Sequence, residues 1–416
     1  MIKNLIKNIG LSPTTFHAVK TASDVLDKNG FVRLSEKDAW KLESQGKYYI
    51  VRADSSLIAF VLDGTADSFK IVASHTDSSC LKLKGSPDME GGGMHRLNVE
   101  VYGSPIMSSW QDRKLKIAGR AFYADKKAAG GVKGKLIESD YNVVIPNIAL
   151  HLNREVNTAY KFNPQKDLVP VCGLGKGQIR DLVGDALDWE LFVVCAEEGY
   201  TYGKDNLLIA APRLDDLTGV FSSLTAFVDF ANSPDVKKDG GVRVLALLDN
   251  EEIGSRTRQG AASWLLYDVL ARINFALGGN DDKLRRALAG SFFVSLDNAH
   301  ATHPNHPELS DPTSNTVLGG GIAVKYHANF AYSTDAESGA LIKKLFKDYN
   351  VKYQDFYVRS DLRAGSTLGP VNSGFVSIMS ADIGMGQIAM HSAIETASVS
   401  DYEEMIKGIA AFYKHF

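Results

Sequence analysis

An apolar run, Val242 to Leu248, ends in Asp249, Asn250, Glu251 and Glu252. Two adjacent glutamates at the end of a buried strand repel each other. Desolvating either is costly unless a positive charge lies close. A divalent cation resolves the conflict if one carboxylate binds it and the other handles protons. A bound dication lowers the pKa of water from about 16 to about 7. A neighbouring glutamate can take that proton and return it to a leaving amine. The chemistry of the pair leaves open which glutamate has which role.

Other apolar runs end in the same way. "KIVAS" is followed by His75, Thr76 and Asp77, and "SFFVSL" by Asp297 and His300. "IGMGQIAM" leads into His391 and Glu395, and "APRLDDLTG" sets Asp215 and Asp216 beside a turn. Each segment alone has a structural explanation. His75 can be a core histidine beside a capping Asp77, Asp215–Asp216 a helix N-cap, and Asp297 a turn residue. In open α/β sheets, however, ligands collect outside the carboxyl ends of the strands. Five segments that deliver carboxylates or imidazoles to one edge are poorly explained by surface solvation. Residues two apart in an extended chain share a face, so His75 can bind a metal while Asp77 orients it. This N/O donor set, without thiolates, suits zinc, manganese or cobalt. It also suits two ions about 3.5–4 Å apart, with a carboxylate such as Asp215 as bridge. No Walker loop or dinucleotide fingerprint occurs; "GLGKGQ" at Gly173–Gln178 reads as a glycine-rich turn.

The elements that must position these residues alternate in type. "SPTTFHAVKTASDVLDKNGF" predicts a helix capped by Ser12, with Pro13 in its first turn and Gly30 past its end. "YYIVRADSSLIAFVLDG" predicts two strands and a turn. From Arg213 onward, apolar strands and amphipathic helices alternate, which implies an α/β layer with a largely parallel sheet. Between lies a glycine-rich stretch of short strands. The expected fold is therefore a central mixed, largely parallel sheet with helices on both faces, interrupted by a β-rich insertion. Residues 1–87 and 212–416 would form the catalytic domain, and 88–211 the inserted, oligomerising one.

Composition narrows the function classes. The 416 residues can bury a large core, and the formal net charge is −3. That balance suggests neither a nucleic-acid nor a membrane partner. Three scattered cysteines, with no CxxC spacing, argue against a disulfide scaffold or a cysteine zinc site and fit a reducing cytoplasm. The first residues lack the arrangement of a signal peptide.

The chain resembles the aspartyl aminopeptidase and vacuolar aminopeptidase I family of two-metal exopeptidases. Seven stretches carry the likeness in order: "SPTTFHAV", "SHTDSSCLKLK", "RLDDLTG", "DNEEIGS", "SLDNAHATHPN", "SDLRAGSTLGP" and "MHSAIETAS". The resemblance implies His75, Asp215, Glu252, Asp297 and His391 as ligands, with Asp215 bridging two divalent ions. It implies Glu251 as general base and Asp77 as the companion of His75. His300 would lie near the scissile bond, Lys325 near the substrate, and His151 would reach a neighbouring subunit's site. Lys325 can equally be a solvated strand lysine, and His151, in a strand-like alternation, a structural histidine. A dodecameric homo-oligomer is implied as well. One position departs from the family: Asp216 follows the bridging aspartate where Asn is usual.

The resulting expectation is a metal-dependent aminopeptidase acting on peptides, with preference for N-terminal Asp or Glu. Apolar preference within the same family is one alternative, and a two-metal deacylase or carboxypeptidase another. A non-catalytic shell protein is a third, which the intact ligand set and Glu251 speak against.

Overall fold

Strand runs that are apolar throughout must be covered on both faces, and that is how the chain is built. The computed structural model describes residues 1–233 and 240–416. Among them a nine-stranded sheet runs in the order Val32–Arg33, Lys47–Arg52, Ser56–Val61, Gly241–Leu248, Ser68–His75, Phe292–Leu296, Met379–Gly384, Ile322–Tyr326, Tyr353–Tyr357. The four strands from Gly241–Leu248 to Met379–Gly384 are parallel, and antiparallel pairings lie to either side.

Successive side chains along these strands go to opposite cores, as a period of two requires. Val72, Leu245, Leu247 and Val294 face one core, shared with helices Ile2–Gly10, Thr15–Lys28, Leu214–Ala231 and Val399–His415. Ile71, Ala73, Val244, Ala246 and Phe293 face the other, covered by helices Leu265–Ala276 and Asp281–Ala289. Registry then fixes the site. Leu248 lies level with His75, and Ser295 with Ala73 and Asp382. The chain therefore leaves these strands at one edge.

A second, six-stranded sheet has its own core around Leu81, Val99, Ile117, Leu191 and Val193. Its strands differ from the expected boundaries at both ends. The sheet begins at Cys80, because Cys80–Gly91 runs straight on from the His75 segment without a glycine-rich break. At the far end, Tyr200–Tyr202 and Leu208–Ala211 leave it. They join a third sheet with Glu395–Ser398, Gly386–Ile388 and Ala299–His300.

Two local expectations are corrected: Ser12 is not the cap, and Pro13 lies ahead of the cap rather than in the first turn. The second helix starts at Thr15 with Thr14 as its N-cap. Ser12 instead donates weakly to the Thr21 hydroxyl at 3.4 Å. The cap moves because a separate helix, Ile2–Gly10, occupies the chain up to Leu11. Its apolar stripe of Ile2, Leu5, Ile6 and Ile9 has helical spacing. Gly30 does follow the second helix with φ of 77°. Among the described residues no helix is long and apolar enough to cross a membrane.

Candidate metal centre

Five elements converge at the carboxyl edge of the parallel strands. His75 is the last residue of Ser68–His75. Asp215 sits at the head of Leu214–Ala231, where Asp215 and Asp216 are not yet helical and their shared peptide is cis. Glu251 and Glu252 form one tight helical turn, flanked by Asn250 (φ 65°) and Gly254 (φ 93°), which reverses the chain within a few residues. Asp297 follows Phe292–Leu296, and His391 lies in the loop before Glu395–Ser398.

The side chains form two triplets that share Asp215: His75, Asp215 and Asp297, and Asp215, Glu252 and His391. His75 Nε2 is 3.2 Å from Asp215 Oδ1 and 3.9 Å from Asp297 Oδ1. His391 Nε2 is 3.6 Å from Asp215 Oδ2 and 3.4 Å from Glu252 Oε2. The two oxygens of Asp215 thus serve the two halves. Burial works to raise the Asp215 pKa, but the imidazoles of His391 and His75 overcome it and hold the carboxyl far below its usual range.

Each donor is steadied from behind. His75 Nδ1 lies 3.1 Å from the Asp77 carbonyl oxygen and His391 Nδ1 3.0 Å from that of Ser104, so both Nε2 atoms face Asp215. The Asp77 carboxylate accepts the backbone N–H groups of Glu251 (3.1 Å) and Glu252 (3.2 Å). Glu252 accepts from the Ser79 backbone N–H at 3.0 Å and the Ser79 hydroxyl at 2.9 Å. Glu395 accepts the N–H groups of Asp215 (3.0 Å) and His391 (2.7 Å). These residues fit a pair of divalent ions. The donors are imidazole nitrogens and carboxylate oxygens, the histidines are oriented by their other nitrogen, and Asp215 Oδ1 is buried with no hydrogen-bond partner.

Glu251 lies beside both triplets and belongs to neither. It lines a cleft of about 380 Å³ with Asp215, Asp297, His300, Lys325, Tyr332 and His391. Burial pushes its carboxyl well above the usual range; His75 opposes this, and the Asp297 and Glu252 charges add to it.

The remaining expected residues are placed as follows. His300 lies on the cleft wall. Lys325 also reaches it but is not the solvated lysine that its strand pattern allows. Its ammonium is buried and donates to Asp297 O (3.0 Å), Asp297 Oδ2 (3.3 Å) and Asn298 O (2.9 Å). Its three hydrogens are therefore engaged. His151 lies in an exposed run of turns rather than a strand and does not line the cleft of its own chain. Asp216 is fully buried and accepts the N–H groups of His75 (3.3 Å) and Gly219 (3.1 Å). The two bonds go to different carboxylate oxygens, so an Asn here could accept only one of them. Ser79 lies just past His75 in the quoted "SHTDSSCLKLK" stretch, whereas Ser104 carries no local sequence signal and is brought here only by the return of the inserted sheet.

Residues 8–183 and 176–413 match the sequence pattern described as aminopeptidase I zinc metalloprotease (M18). The chain belongs to the M18 family. It is a metal-dependent aminopeptidase, a hydrolase of peptide bonds. A probable M18 family aminopeptidase 2 of Clostridium acetobutylicum is 37% identical over 99% of this chain and 98% of its own length. A probable aspartyl aminopeptidase of Ricinus communis is 32% identical over 99% of this chain and 95% of its own. Among solved M18 relatives, Ape4 in its complex with Nbr1 matches with a TM-score of 0.94, 30% identity, and 100% and 85% coverage of the two chains. The mApe1 dodecamer of S. cerevisiae matches at 0.86, 28% identity, and 99% and 96% coverage. The latter likeness supports a homo-oligomer.

Proposed function

We propose that this M18 aminopeptidase removes single residues from the N-termini of peptides with two divalent ions, zinc by family, and prefers Asp or Glu. The carrying observation is Asp215, whose two oxygens face two separate ligand triplets beside Glu251. When bound, such ions polarise the scissile carbonyl and make water acidic. Glu251, beside both triplets and belonging to neither, would then accept the proton and deliver it to the leaving amine. Asp77 holds the Glu251–Glu252 turn and His75 in one geometry. His300, which lines the same cleft, would contact the substrate near the scissile bond.

The acidic preference is supported by the printed name of the Ricinus communis relative and by Lys325. Because its hydrogens are engaged, Lys325 acts on an acidic side chain through charge rather than a hydrogen bond. A dodecamer in the cytoplasm is the proposed working form. Its support is the mApe1 dodecamer and the exposed Ile148, Leu150 and Leu152 around His151, which would carry His151 to a neighbouring cleft. Mn or Co can replace Zn in this donor set.

The test is a panel of Asp, Glu, Leu, Ala and Lys aminoacyl chromophores, run with Zn, Mn or Co added to chelated protein. Metal-dependent release from Asp and Glu, with none from an N-acetylated substrate, is expected. Release mainly from Leu rejects the acidic preference and keeps the mechanism. Cleavage of the N-blocked substrate points to a deacylase or carboxypeptidase instead.

A further inference from the structure

The inserted sheet enters the metal centre directly. Tyr102 is the last residue of the inserted strand Met94–Tyr102. Its hydroxyl donates to Asp77 Oδ2 at 2.8 Å and accepts from Asn250 Nδ2, also at 2.8 Å. Its ring packs edge-on against Phe192 of the same sheet, with centroids 5.7 Å apart. Asn250 is itself braced, because its Oδ1 accepts from Thr257 Oγ1 (2.8 Å) and Gln259 Nε2 (3.0 Å).

Asp77 is the node that makes this contact consequential. The oxygen that accepts from Tyr102 also accepts the Glu252 N–H, and the other accepts the Glu251 N–H. That second oxygen lies 3.4 Å from His75 Nδ1. One phenol therefore fixes a carboxylate that touches a histidine donor, a carboxylate donor's backbone and the general base's backbone. The next residue confirms how closely the inserted chain passes. Gly103 has φ of 71°, and a Cβ there would lie 2.5 Å from Ser79 Oγ, the atom that holds Glu252. Ser104 then supports His391.

We propose that Tyr102 is a positioning residue of the metal centre, acting through Asp77 on His75 and on the Glu251–Glu252 turn. The inserted domain is on this view part of the catalytic apparatus as well as an assembly unit. The inference rests on the metal reading given above. Partners of this kind behind metal ligands change metal affinity or activity by about 10–100-fold when removed.

The experiment is cobalt titration of chelated wild-type protein and of Tyr102→Phe, followed by the visible absorption of the bound ion, with kcat and KM measured on one substrate. Tyr102→Phe is expected to weaken cobalt binding by about 10–100-fold, to change the absorption spectrum, and to lower kcat at unchanged KM. Equal cobalt affinity, spectrum and kcat in the two proteins overturn the inference. Asn250→Gly, which keeps the left-handed backbone and removes the amide that orients the phenol, gives a second reading. It should shift the spectrum in the same direction even if Tyr102→Phe folds poorly; a wild-type spectrum from a folded Asn250→Gly protein counts against the proposal. Wild-type protein that binds no cobalt removes the metal reading itself, a result distinct from a silent Tyr102→Phe.

Discussion

His75, Asp215 and Asp297 meet at adjacent strand ends, and His75 shows 1% of its side chain to solvent. His391, in the other triplet, hangs on a loop and shows 28%. The first half is supported by the catalytic sheet itself: Lys325 on a nearby strand grips Asp297, and the His75 N–H is held by Asp216. The second half borrows its support. Ser79 and Ser104, where the chain enters and crosses the inserted sheet, hold Glu252 and His391. One half is thus as rigid as the sheet. The other depends on how two structural units sit together; Asp215 is shared by both triplets, and Asp77 lies against His75 while accepting the Glu252 N–H.

The largest expected effect falls on the residue that belongs to neither half. Glu251→Gln should lower kcat by about 10²–10⁴-fold, the usual contribution of a general base. Metal content, measured by elemental analysis, should stay at the wild-type value. Loss of bound metal along with activity would make Glu251 a ligand and redraw the comparison.

The two halves should separate next. Lys325→Met leaves the Asp297 carboxylate buried without its partner, and breaking a buried pair costs about 3–5 kcal/mol. Urea unfolding of the chelated protein should show that loss. His391→Ala, on the half-buried loop, should change folding stability by less than about 1 kcal/mol while weakening metal uptake. A chelator should strip wild-type protein in two phases, and His391→Ala should remove the faster one. Equal stability losses in the two variants would mean that the sheet-borne half is no more rigid than the loop-borne half.

Much of this was legible in the sequence, for a physical reason. A parallel sheet places every strand's carboxyl end at one edge, so apolar runs ending in His75, Glu251–Glu252 and Asp297 announce a shared site without any contact being known. Among the helices that sequence reading missed, Ile2–Gly10 was legible from the helical spacing of Ile2, Leu5, Ile6 and Ile9, whereas Asp281–Ala289 buries only Leu284 and Ala287 among charged residues. The alternation Ile148, Leu150, Leu152 misled in the opposite way. It has the period of a strand, but the side chains stay exposed in turns. The contacts of Ser104 with His391 and of Lys325 with Asp297 depend on tertiary return of distant segments, and no local pattern encodes them. The domain limits shifted because strand Cys80–Gly91 is continuous with the metal motif, so composition changes later than structure does.

A pH-dependent effect tests the seam between the two units. His17, in helix Thr15–Lys28, is buried, and its Nδ1 lies 2.8 Å from the Thr14 hydroxyl. Burial lowers its pKa from 6.5 to about 4; Glu138 of the inserted sheet opposes this, and Lys116 of that sheet and Arg213 reinforce it. In the folded chain His17 is therefore neutral between pH 6.5 and 4, whereas the unfolded chain takes up the proton there. Stability rises with pH wherever the unfolded state binds more protons, so this contribution is full above about pH 6.5. It is lost as pH falls toward 4 and changes no further below that. The loss is at most about 3 kcal/mol for a shift of this size. Thermal unfolding between pH 7 and 4 should show it, and His17→Gln, which cannot titrate, should flatten that part of the profile. The same acidification should release the His391 half of the metal centre before the His75 half, because His391 is the more exposed of the two histidine donors. Simultaneous release from wild-type protein would show that the inserted sheet and the catalytic sheet respond as one unit.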